Sequence, residues 1–121
     1  MTDIMLVDDE VLALEYLKNM VDWERNGYHV VGCATSGKKA LELFDRTHPQ
    51  IVISDIRMPG TDGLELTRQI KEKDKETVVI LLSAYRDFDY AQKGIRYGVS
   101  NYLLKHELSS ELILKELEEV K

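Results

Sequence analysis

"ISDIRMPGTDG", residues 53–63, opens as a buried strand and then turns abruptly polar. Ile51, Val52 and Ile53 have the unbroken, β-branched character of a strand covered on both faces. Asp55 arrives two residues after Ile53, and Pro59-Gly60 break the chain directly behind it. A hydrophobic strand thus ends by holding up a carboxylate, with a rigid turn at its back.

The same rhythm runs outward in both directions. Short β-rich runs recur, each followed by residues at helical spacing. "DIMLV" (3–7) precedes Ala13, Leu14, Leu17, Met20 and Val21. "YHVVGCA" (28–34) leads past Thr35-Ser36-Gly37, a helix start, to Ala40, Leu43 and Phe44. "QIVIS" (50–54) leads through the Pro-Gly turn to Leu66 and Ile70. "TVVILLS" (77–83) precedes Ala91 and Ile95, and "NYLLK" (101–105) precedes Leu112, Ile113, Leu117 and Val120. The pattern is (βα)5. It predicts an α/β fold: a doubly wound, five-stranded parallel sheet in the flavodoxin-like order 2-1-3-4-5, with ligands beyond the carboxyl ends of the strands. The long loop over 22–29 holds Trp23, read as a packing residue.

Composition narrows the function classes. At 121 residues the chain is one domain, residues 1–121, large enough for a real core. A net charge of −6 argues against a general basic surface for nucleic acid. The lone Cys33 lies in an apolar run and reads as a core thiol in a reducing compartment. No signal peptide is visible, and no stretch approaches the ~20 apolar residues that span a bilayer. The expectation is a cytoplasmic protein without membrane contact.

Four strand ends carry chemistry: Asp8-Asp9-Glu10, Asp55, Ser83 and Lys105. Each has a plainer reading. Asp9 can cap a helix, Asp55 can start a turn, Ser83 can cap the next helix, and Lys105 can be a solvated charge. If strands one and three are neighbours, however, Asp8, Asp9 and Asp55 converge. Two carboxylates about 5 Å apart repel by roughly 3 kcal/mol at an effective dielectric near 20. A hard divalent cation relieves that repulsion. Magnesium fits because it binds through one or two carboxylates and accepts phosphate oxygens as further ligands. Lys105 and the Ser83 hydroxyl then complete a phosphoryl site, with Asp55 as the nucleophile toward phosphorus.

"MLVDDE", "SDIRMPGTDGLEL", "LLSAY" and "NYLLK", in this order and at these distances, resemble the receiver domains of two-component response regulators over essentially the whole chain. The resemblance implies that Asp55 is the phosphoacceptor for a sensor histidine kinase. It makes Asp9 and Asp55 direct magnesium ligands, with Asp8 acting through water and the carbonyl of Arg57 adding another. It makes Ser83 the switch hydroxyl, Tyr102 the aromatic that reports phosphorylation, and Lys105 the partner of the phosphoryl group. The side chains two positions after the nucleophile and the switch hydroxyl are Arg57 and Tyr85. Neither is a good base near neutral pH, so slow hydrolysis is expected.

"DWERNGYHVVGCATSGKKAL" and "LLSAYRDFDYAQKGIRYGVSNYLLK" further resemble receivers joined to an AraC-type helix-turn-helix output domain. No such domain is in these 121 residues. The helical pattern "ELILKELEEVK" has no Gly or Pro stop, so a segment of a longer regulator is expected, with DNA bound only through that output domain. Phosphorylation is expected to favour a homodimer through the fourth helix, fifth strand and fifth helix, where Tyr90, Gly94 and Tyr97 fall at helical spacing.

One departure stands out: the family usually has proline after the strand-five lysine, and here His106 follows. A cis bond before a non-proline residue costs about 3–4 kcal/mol, so a trans peptide is expected. His106 should point away from the lysine's side of the strand end, which argues against a catalytic or metal role, and His29 and His48 show no ligand spacing. Rival readings fail on chemistry. A flavodoxin phosphate would be repelled by Asp8-Asp9-Glu10, and no GxxxxGK[ST] is present. A dehalogenase-type phosphatase needs a second Asp where Arg57 stands.

Overall fold

The computed structural model describes residues 1–84 and 98–120. Five parallel strands, β1 (Thr2–Val7), β2 (Tyr28–Ala34), β3 (Ile51–Asp55), β4 (Val78–Ser83) and β5 (Asn101–Leu104), form one sheet in the order β2-β1-β3-β4-β5. Helices α1 (Val11–Met20), α2 (Gly37–Thr47) and α3 (Gly63–Lys73) follow the first three strands. A C-terminal helix, Ser110–Val120, follows the last. Ala91 and Ile95, with Tyr85, Tyr90, Gly94 and Tyr97, lie outside the described residues.

Side-chain alternation splits the core into two layers. Ile4, Leu6, Ile51, Ile53, Ile80, Leu82 and Leu103 meet Leu14 and Leu17 of α1 and Ile113 and Leu117 of the C-terminal helix. Met5, Val7, Val52, Val79 and Leu81 meet Ala40 and Phe44 of α2 and Leu66 and Ile70 of α3. Both faces of β1, β3 and β4 are therefore covered, which is why these strands read as unbroken apolar runs.

Helix boundaries follow local chemistry. Ser36 caps α2 by accepting from the Lys39 N–H at 3.1 Å, and Asp62 caps α3 by accepting from the Glu65 N–H at 2.9 Å. Trp23 is buried, as expected for a packing residue, and its indole N–H donates to the Lys18 carbonyl at 3.0 Å, closing the end of α1. β2 begins at Tyr28, as the run over 28–34 implied, and within the loop before it Glu24–Asn26 form a 3-10 turn.

Cys33 corrects the sequence reading: it is exposed, not a core thiol. β2 is an edge strand, and its pairing with β1 slips between Ile4 and Met5, which face Val30 and Gly32 and leave Val31 extra. Cys33, opposite Leu6, lies beyond the cover that its face receives. Apolar neighbours in sequence do not bury a residue on a sheet edge.

Candidate functional site

Parallel pairing of β1 with β3 and of β3 with β4 brings the carboxyl ends of the strands together. The Asp8 N–H donates to the Ala34 carbonyl at 3.1 Å, and the Ile56 N–H to the Leu82 carbonyl at 2.9 Å. Both ladders thus run one residue past β1 and β3, and the site residues ride on rigid backbone. Asp8, Asp55 and Lys105 continue the alternation of Leu6, Ile53 and Leu103, so they emerge on the α1 side of the sheet.

The Lys105 ammonium lies 3.1 Å from Oδ2 of Asp8 and 3.1 Å from Oδ1 of Asp55. Asp8 also accepts from the Glu10 N–H at 3.0 Å. Glu10, not Asp9, occupies the N-cap of α1, and it makes no side-chain cap bond; Asp9 is left for the pocket. Carboxylate oxygens of Asp8, Asp9 and Asp55 all lie within 4.8 Å of one another.

Burial pushes the Asp55 carboxyl up to about 6; the Lys105 hydrogen bond and charge oppose that rise, and the charges of Asp8 and Asp9 add to it. Burial alone would lower Lys105, but Asp55 and Asp8 outweigh it and hold the ammonium above its ordinary value. One ammonium for three carboxylates leaves negative charge in a partly buried pocket. An all-oxygen donor set at this spacing fits a hard divalent cation such as magnesium.

Ser83 ends β4 on the opposite face, alternating with Val79 and Leu81. Its hydroxyl is buried and has no hydrogen-bond partner among the described residues, which is costly unless a further ligand satisfies it. Tyr102 of β5, half-buried, packs against the same layer as Leu81, the residue it faces across the ladder.

Arg57 sits in the loop after β3 and, with Met58, Pro59 and Asp62, lines an open concavity. The Gly63 N–H closes that loop onto the Ile56 carbonyl at 2.8 Å. The Lys105–His106 peptide is trans, as expected, and His106 is exposed. His29 pairs with Glu24 at 3.0 Å, and His48 ends α2 in a left-handed conformation at φ 46°.

Two features escaped the sequence reading. Lys105 is not a strand residue: β5 stops at Leu104, and Lys105–Glu107 form a 3-10 turn with no typical turn residue to announce it. The first turn of α2 also touches the loop behind Asp55, because Gly37 lies against Thr61. Its only sequence signal was a glycine where any good helix former would serve.

Comparison with known proteins agrees with this arrangement. The family model for the response regulator receiver domain matches residues 4–117. The uncharacterized transcriptional regulatory protein YesN of Bacillus subtilis is 38% identical over 120 residues, covering 99% of this chain and 32% of that protein. Transcriptional regulatory protein HptR of Staphylococcus aureus is 38% identical over 105 residues, covering 87% of this chain and 41% of its own. The chain thus spans between about a third and two-fifths of the length of these relatives.

The receiver domain of AraT, a response regulator from Geobacillus stearothermophilus, superposes with a TM-score of 0.90 at 32% identity, covering 98% of this chain and 92% of that one. The CheX–CheY–beryllofluoride–magnesium complex from Borrelia burgdorferi matches with a TM-score of 0.86 at 25% identity, covering 98% of this chain and 88% of that one. Among the described residues no helix is long and apolar enough to cross a membrane. With its five-stranded sheet, its acidic pocket and a family match over nearly its full length, the chain belongs to the response regulator receiver domains.

Proposed function

We propose that this receiver accepts a phosphoryl group on Asp55 from a sensor histidine kinase, in a magnesium-dependent reaction, and thereby controls a transcriptional output domain that lies outside these residues. The observation that carries the reading is the Lys105 ammonium bridging Asp8 and Asp55 beside Asp9. A carboxylate oxygen of Asp55 attacks phosphorus in line while the bond from phosphorus to the donor's imidazole nitrogen breaks, and the imidazole leaves with the electron pair. Asp9 and Asp55, with Asp8 through water and the Arg57 carbonyl, would hold the magnesium ion, which would supply positive charge against the phosphoryl oxygens.

Lys105 then exchanges one anionic partner for another, leaving carboxylate for phosphoryl oxygen. The Ser83 hydroxyl, buried without a partner among the described residues, supports its role as the donor that turns toward the phosphoryl group. Its movement frees space beside Tyr102 on the same layer, and the two arrangements form the switch. Beryllofluoride and magnesium in the Borrelia neighbour are the ligand pair that this reading assigns to Asp55. Relatives named as transcriptional regulators support a DNA-binding output in the longer protein, acting in the cytoplasm.

The test is intact-protein mass spectrometry after incubation with acetyl phosphate, with and without magnesium. A single added phosphoryl group that needs magnesium and vanishes in Asp55→Asn is the expected result. Undiminished labelling of Asp55→Asn would sink the assignment.

A further inference from the structure

We infer that Gly37, at the first turn of α2, is a positioning residue for the Asp55 site: its missing Cβ lets the loop 56–62 close to the place from which the Arg57 carbonyl reaches the cation. The inference rests on the proposed magnesium site.

A Cβ at Gly37 would lie 2.5 Å from the Thr61 carbonyl oxygen, 2.6 Å from its Cβ and 2.7 Å from its Cγ2. These are closer than packed atoms tolerate, and one of them is backbone, so no rotamer change removes the conflict. Thr61 or the helix has to move.

The loop cannot move as a whole. The Ile56 N–H is bonded to the Leu82 carbonyl at 2.9 Å, and the Gly63 N–H to the Ile56 carbonyl at 2.8 Å. Asp62 is committed to capping α3. Gly63 is itself pressed on the strand, since a Cβ there would meet the Asp55 carbonyl oxygen at 2.6 Å. With both ends fixed, a push at Thr61 is absorbed between Arg57 and Thr61. Gly60, at φ +75°, lies in that stretch in a left-handed conformation that other residues rarely adopt. Arg57 is the first residue of it. The helix resists more strongly, because Ala40 and Phe44 anchor α2 in the core and Ser36 caps it. Displacement therefore falls on the loop that carries the cation's backbone ligand, while the carboxylates on β1 and β3 stay in place.

Gly32→Ala is the matched control. The three atoms nearest a Cβ there all belong to the Leu43 side chain, whose Cδ2 lies at 2.8 Å and can rotate away. It strains the β2–α2 contact without touching the loop.

Magnesium affinity is measured by calorimetry, and thermal unfolding is followed on the same samples. Gly37→Ala is expected to weaken magnesium binding about tenfold. Gly32→Ala is expected to lower the melting temperature with affinity unchanged. Adding Thr61→Gly to Gly37→Ala removes two of the three crowded contacts and should recover part of the affinity. Wild-type affinity in a folded Gly37→Ala protein overturns the inference alone, since it means that α2 yields instead. Absence of magnesium binding in the wild type overturns the proposed function and this inference with it. Should Gly37→Ala fail to fold, Thr61→Gly alone decides: affinity unchanged from wild type counts against a loop set by this contact, and altered affinity with retained fold supports it.

Discussion

The Lys105 ammonium is 3.1 Å from the Asp55 carboxylate, yet burial still holds that carboxyl up near 6. The ion pair therefore compensates only part of what desolvation costs. The nucleophile is kept at an energetic disadvantage in the metal-free protein, and any cation or phosphoryl group that relieves it is bound with that energy in hand.

Asp55→Asn should stabilise the metal-free protein at neutral pH. Folded Asp55 keeps its proton up to about 6, whereas an aspartate in the unfolded chain loses it near its ordinary 3.8. The folded state binds more protons in that window, so this group takes stability away as pH rises through it. The gap corresponds to about 3 kcal/mol at most. Loss of the Lys105 contact subtracts from the gain, leaving roughly 1–2 kcal/mol. Urea denaturation of both proteins between pH 4 and pH 7 checks this: their difference should grow with pH and shrink when magnesium is added.

Ser83→Ala should separate stability from signalling. The hydroxyl is buried without a partner among the described residues, so its removal is expected to stabilise the resting protein by about 1 kcal/mol. The same change deprives the phosphoryl group of a donor. Phosphorylation still occurs on Asp55, but the response of Tyr102, read by NMR shifts on adding beryllofluoride, should be strongly reduced. A full Tyr102 response in Ser83→Ala would contradict the coupling.

The phosphorylated form should last for minutes or longer without a phosphatase. Arg57 is exposed at the position two after the nucleophile and offers no base to an attacking water. Tyr85, the other such position, lies outside the described residues. Following the added mass after removal of the phosphodonor measures the lifetime. Complete loss within seconds would contradict the prediction.

Phosphorylation should promote self-association through β5 and the C-terminal helix; Tyr90, Gly94 and Tyr97, which the sequence also offers for this contact, lie outside the described residues. A symmetric contact of this kind matches paired DNA half-sites read by an output domain. A preference of ~1.4 kcal/mol for the active arrangement shifts the equilibrium tenfold. Sedimentation with and without beryllofluoride is the measurement, and an unchanged monomer at concentrations well above micromolar would count against dimerisation by the receiver alone.

Much of this was written in local sequence. Unbroken runs such as Ile51–Ile53 announced strands covered on both faces, and the βα alternation implied the sheet order that the structure has. Asp8, Asp9, Asp55 and Lys105 were legible because each stands at a strand end, and parallel strands bring their carboxyl ends together. Cys33 was misread because apolar neighbours record what a strand is made of, while exposure depends on its place in the sheet. The 3-10 turn at Lys105 and the approach of Gly37 to Thr61 left almost no local trace. Both depend on where distant segments arrive. Pattern and propensity act over a few residues along the chain, whereas steric contact acts over a few ångströms in space, so the chemistry of the pocket was readable in advance and the fit of the loop around it was decided only by the packed fold.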